Sequence, residues 1–269
     1  MDWKNIKTIF IFTFLILNFY LGTELYEKEY PDFDTLKEET LKKLDIKYDE
    51  KLPTIDQDLP LVSGTSTKFT EEKAAEFTKK NSNQEVTVLA NKIIYSVLDE
   101  PISLSTDSDN KAELETFIEE YVPIHEQYEY WKHDEERNLY LFRQHKEEVP
   151  FYFSDYVTEN NLTGLIEIST NQDDEITSYK LTSMDITEED TDDKLITAEE
   201  ALLVQNIPPG TTLLDIDLVY FTLITNEGWK VFVPSWHIVT EDQELMVDAT
   251  DSSVITLDKY EDEDEESEE

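Results

Sequence analysis

Four histidines are the first residues to weigh for chemistry: His125, His133, His145 and His237. His125 and His133 flank Tyr128 and Trp131, with Asp134 and Glu135 adjacent, a mixture that could hold a divalent cation. A polar loop produces the same mixture without a ligand, and the spacing matches no zinc-binding pattern. His145 stands beside Lys146 in a polar turn. His237 follows Trp236 within an apolar run and reads as a partly buried, hydrogen-bonded side chain. Carboxylates are too abundant for their spacing to mean anything, with 63 Asp and Glu against 22 Lys and Arg, so a glycosidase pair has no support. Five glycines leave little scope for a phosphate cradle, and neither a nucleophile elbow nor a zincin helix is present. The absence of cysteine removes thiol catalysis, Cys-zinc sites and disulfides. The expectation is a chain with no catalytic residues, no metal and no cofactor.

Charge excludes a further class. A net charge of -41 opposes nucleic-acid binding and peripheral docking on anionic lipid, and suits a solvated exterior. Attachment to a membrane must then come from an apolar segment, and one stands at the start. Lys4 and Lys7 stand at the start of a run counted from Ile6 to Gly22, about 17 mostly apolar residues or roughly 25 Å of helix, at the short end for a span. Trp3, Tyr20 and Tyr26 suit the two interfaces, and a cleaved signal would end in small residues where this run stays bulky. The reading is a single-pass anchor over 1–25, with the N-terminus cytoplasmic by the positive-inside rule and the bulk extracytoplasmic. Thr8, Ile11, Leu15, Asn18 and Gly22 alternate by three and four and share one helix face, where small and polar residues favour helix–helix packing in lipid.

The elements that follow read as an α+β fold. Residues 26–60 form a juxtamembrane helix and linker. Thr35 with Glu38 is a capping box, and Pro53 and Pro60 mark extended chain. A first unit, 61–160, opens with a strand from Leu61 to Phe69 and a helix capped by Thr70. A second helix carries Leu114, Phe117, Ile118 and Tyr121 inward, and aromatic strands run from Tyr128 to Phe153. A second unit, 161–258, has strands near 165–169, 176–184, 214–224 and 229–239. Thr197 and Glu200 box its helix, and Pro234 suggests a bulge or a sheet edge. Residues 259–269 are almost entirely acidic and expected to be a disordered tail. The sheets should be antiparallel, each packed by helices.

The opening Met1-Asp2-Trp3-Lys4, then Ile6-Lys7-Thr8-Ile9-Phe10-Ile11 running into Leu15-Ile16-Leu17-Asn18, resembles the start of the YycI family. The order of later elements, from the helix after the anchor to Trp229–Val239, is similar as well. The acidity and the acidic tail are departures from what the family would lead one to expect. The resemblance implies a non-catalytic, membrane-anchored regulator of the YycG/WalK two-component sensor kinase. It would work with the related anchored protein YycH, through transmembrane and extracytoplasmic contacts, and affect cell-wall metabolism. Homodimer and heterodimer both stay open. The rival reading is an extracytoplasmic sensor that takes a peptide or cell-wall fragment on an open sheet edge near Pro234.

Overall fold

The computed structural model describes residues 13–14, 16–18, 46–48, 51–55, 59–105, 110–135, 137–153, 163–189, 194–204, 207–222, 225–226 and 229–257. The helix expected from Thr35 and Glu38 and the acidic tail lie outside these residues, as does most of the anchor. Among the described residues no helix is long and apolar enough to cross a membrane.

The described chain is mostly β. β1 (Leu61–Ser66) leads to α1 (Glu71–Lys80), then β2 (Gln84–Leu89) and β3 (Ile93–Ser103). α2 (Lys111–Tyr121) follows, with β4 (Tyr128–Asp134), β5 (Leu139–Lys146) and β6 (Val149–Pro150). Next come β7 (Leu165–Thr170), β8 (Glu175–Leu181), β9 (Met184–Glu189) and α3 (Ala198–Val204). The last elements are β10 (Leu213–Phe221), β11 (Thr225–Asn226), β12 (Trp229–Thr240), β13 (Glu244–Asp248) and β14 (Val254–Leu257).

These strands make two antiparallel sheets. One runs β2-β3-β8-β7-β5-β4, with β6 beside β5; the other runs β14-β13-β12-β1-β9, with β10 and β11 beside β12. Pairing does not follow the expected division at 160. β7 and β8 pair with β5 and β3, and β1 pairs with β12 and β9. The first sheet is therefore inserted between β1 and β9 of the second. Sequence order misleads here because hairpins pair locally, whereas β1 finds its partners more than a hundred residues away.

The local signals explain the elements themselves. Thr70 caps α1 by accepting from Lys73 N at 3.3 Å, with Glu71 and Glu72 in the first turn and Lys79 and Lys80 in the last, matching the macrodipole. Leu114, Phe117, Ile118 and Tyr121 are the buried face of α2. Both helices cover one face of the first sheet, against Ile94, Phe142, Ile166, Tyr179 and Leu181. Gln84 joins that layer. Its buried amide donates to Phe77 O (2.9 Å) and Tyr121 O (3.3 Å), and its oxygen accepts from Ser96 (2.6 Å) and Tyr179 (2.9 Å). One side chain thus ties the last turns of both helices to β3 and β8, adding to the bond that Phe77 O already accepts from Asn81 N (3.1 Å). In the second sheet α3 packs Ala201 and Leu202 beside Phe232, Trp236 and Val247. Its capping box is formed as expected, with Glu200 N donating to Thr197 Oγ1 (3.3 Å) and Thr197 N to Glu200 Oε2 (2.7 Å).

The two sheets meet where the inserted chain leaves and returns. Thr67 N donates to Ser183 O (2.9 Å), so the outgoing and incoming strands are bonded at the crossing. Gln144, buried at the end of β5, donates to Met184 O (3.0 Å) and accepts from Met184 N (2.9 Å), acting as one strand residue beside β9. Beyond it Phe151 enters the second core, stacked on Tyr220 at 5.3 Å and edge-on to Phe232 at 4.7 Å. Gly164 sits under this clamp at φ +84°, where a Cβ would lie 2.9 Å from Met184 Cε and 3.1 Å from Gln144 Oε1.

Two outcomes follow from this packing. Gly164→Ala should lower stability by about 1–3 kcal/mol, since backbone strain and close contact coincide. Gly210→Ala, at φ +85° with nothing near, should cost only the strain. Urea unfolding that gives equal losses would remove the packing component. Desolvation raises the phenols of Tyr128 and Tyr179 and pushes Tyr220 up to about 12. The folded state keeps these protons where the unfolded chain, titrating near 10, sheds them. Stability should therefore fall as pH rises above about 10, and Tyr220→Phe should make that slope shallower in unfolding curves from about pH 9 to 11.

Candidate interaction surfaces

Of the residues expected on the transmembrane face, Asn18 lies in a helical stretch and is exposed, as are its neighbours Phe14, Ile16 and Leu17. Thr8, Ile11, Leu15 and Gly22 lie outside the described residues. Asn18 is thus the one member of that face among the described residues.

The histidines separate. His125 Nδ1 lies 3.1 Å from Val122 O in a short 3-10 turn, while His133 stacks on Tyr140 at 4.1 Å in β4. Among the described residues no group of three or more His, Asp or Glu could hold a metal ion. His237 does have a polar partner: its Nε2 is 2.7 Å from Glu244 Oε1, which also accepts from Tyr152 Oη at 2.5 Å. The Tyr152 ring lies 4.6 Å from the His237 ring and 6.0 Å from Trp131, so this small cluster joins the second sheet to β4 of the first.

Arg143 anchors the neighbouring charges. Its Nε and Nη2 both reach Glu129 Oε1 at 2.9 Å, and its guanidinium lies 5.8 Å from the Trp131 ring centre. A cleft of about 440 Å3 opens beside it, lined by Glu129, Glu147, Glu148 and Asp217. Local desolvation, then the Asp215 charge, push the Asp217 carboxyl up, while Arg143 and His237 pull it down. Burial lowers the Lys230 ammonium in β12 to about 8. Of these groups, Arg143 and Glu129 form an ion pair between β5 and β4.

The sequence singled out none of Tyr152, Arg143 or Glu244. Arg143 carried the one available signal, as one of only two Arg in so acidic a chain. Pro234 requires a correction. It lies within β12, opposite Tyr220 on one side, at the point where β1 pairing ends and β13 pairing begins on the other. Its carbonyl accepts from Ala249 N (2.9 Å), so its missing N–H faces that gap and breaks no ladder bond. Pro234 marks a change of partner, and no accessible edge lies there.

Exposed apolar residues do gather elsewhere. Leu89, Tyr95 and Val97 stand on the β2–β3 hairpin, on the face opposite the helices, with Tyr95 across from Thr87 and Val97 across from Glu85. Alternation along the strands puts all three on one side.

Among solved structures the chain is similar to an uncharacterized protein from Eubacterium rectale ATCC 33656, at 11% identity and TM-score 0.43, covering 81% of this chain and 98% of that one. It is also similar to the Bacillus megaterium YpeB C-terminal domain, at 12% identity and TM-score 0.40, covering 71% and 99% respectively. No curated protein matches. Residues 30–250, by contrast, match the family described as YycI protein, which takes in both sheets up to the end of β13. The chain belongs to the YycI family.

Proposed function

We propose that the protein is a non-catalytic regulator of the YycG/WalK two-component sensor kinase, working with a YycH-like protein. Family membership over residues 30–250 carries this reading, and it is consistent with a role in that regulatory system. The rest is our inference. Residues 1–25 anchor the chain in the membrane, and the helix face of Thr8, Ile11, Leu15, Asn18 and Gly22 meets the kinase's membrane helices. The two sheets stand outside and give the YycH-like partner its surface. Through the kinase the protein influences cell-wall metabolism.

The test is an in-membrane two-hybrid assay of residues 1–30 against the kinase's transmembrane segments, alongside the full chain. The segment should associate by itself, and Asn18→Leu with Gly22→Leu should weaken association roughly fivefold, the worth of one interhelical hydrogen bond in lipid. Undiminished association of the double variant would sink the proposed face. A silent segment beside an active full chain would move the effect to the sheets.

A further inference from the structure

A cleft of about 350 Å3 lies where the two sheets join, at the small end of the roughly 300–1,000 Å3 range of small-molecule sites. Its lining sets the apolar Phe69, Phe77, Ile124 and Met184 beside the buried polar Thr67, Gln144 and Ser183. Two opposite charges stand over it one helical turn apart, Lys73 and Glu76 of α1. Residues three apart on a helix are neighbours and often pair. These two do not, and neither side chain has an ion pair or hydrogen bond to any described residue. The other charges of the cleft are already occupied. Lys146 is bound by Glu188 (2.6 Å) and Glu147 (3.3 Å), and Asp185 accepts from the Thr67 hydroxyl (2.8 Å). In the wall, His145 Nδ1 is buried with no hydrogen-bond partner.

An open ammonium and an open carboxylate beside the apolar part of this lining complement a small zwitterion with an apolar side chain. β9 sets the shape. Among the described residues it ends its sheet, pairing with β1 alone, and contributes Met184, Asp185 and Ile186 to the cleft. Gln144 already holds the Met184 backbone, so it is beyond Met184 that this edge strand offers backbone groups to an extended peptide. A dipeptide is about 7 Å long when extended, a length suited to a cleft of this volume. We propose that this cleft binds the free termini of a short peptide, with Lys73 taking its carboxylate, Glu76 its ammonium, and the apolar part of the lining an apolar side chain. This goes beyond the regulatory reading and does not depend on it. A ligand here touches α1 of the inserted sheet and β9 of the other at once, so it would hold the two together.

The probe is the dipeptide Ala-Leu, titrated into the full-length protein by calorimetry, with thermal melting in parallel. Saturable binding should appear at or below about 10 mM and raise the melting temperature, since only the folded state binds. N-acetyl-Ala-Leu and Ala-Leu amide, each lacking one charge, should bind roughly tenfold more weakly or not at all. Lys73→Met and Glu76→Gln should weaken Ala-Leu to the same degree while leaving the unliganded melting temperature unchanged, since both side chains are exposed. Tyr95→Ala, on the opposite face of the first sheet, should leave binding as it is. No saturable binding of Ala-Leu overturns the proposal. So does equal binding of the blocked peptides, or equal affinity in Lys73→Met and Glu76→Gln.

Discussion

The amide of Gln144 is the constraint on which the rest of the structure depends. It holds the backbone of Met184 by two hydrogen bonds at the place where the chain passes from one sheet to the other. The backbone of Gln144 is committed as well, its N–H to Gly164 O (2.8 Å) and its carbonyl to Phe151 N (2.9 Å). One residue thus fixes the end of β5, the approach to β7, the turn into β6 and the start of β9. Satisfied polar groups in a buried junction act as a specificity device, because each is costly to leave unpaired. Gln144 pins the returning chain at Met184, and the bond from Thr67 N to Ser183 O pins the outgoing chain beside it.

Charge tells a related story. The chain has few cations, and several are spent internally: Arg143 on Glu129, Lys180 on Glu167 (3.1 Å), Lys146 on Glu188. Each pair bridges neighbouring strands or elements and removes a carboxylate from the repulsive total. The remaining carboxylates keep the surface solvated, at a cost to compactness that the apolar cores must offset.

Much of the element list was legible in the sequence. Thr70, Thr197 with Glu200, and the Leu114-to-Tyr121 stripe each declare a local structure, because caps and periodicity act over three or four residues. The antiparallel sheets and the aromatic run from Tyr128 to Phe153 were legible for the same reason. The partnership of β1 with β9 and β12 was not. Nothing in Leu61–Ser66 distinguishes a hairpin strand from one that waits for Met184–Glu189. Pro234 misled for a kindred reason, since a missing N–H signals a gap in pairing and a gap can fall inside a sheet between two successive partners. The polar junction of Arg143, Tyr152, His237 and Glu244 was illegible too, because it is assembled from four separate strands and segments.

The same acidity limits how this chain can meet other molecules. A second copy would bring a further -41, so self-association has to overcome like-charge repulsion, while a partner with a basic face gains on approach. The hairpin carrying Leu89, Tyr95 and Val97 is a place where that repulsion is locally relieved. Lys92 lies in its turn, Lys180 stands opposite Tyr95 on β8, and the Glu167 charge beside it is already paired. Glu85, across from Val97, keeps its charge on the same face, so the relief is greatest around Tyr95. Heteromeric contact is therefore electrostatically easier than homomeric contact for this member of the YycI family.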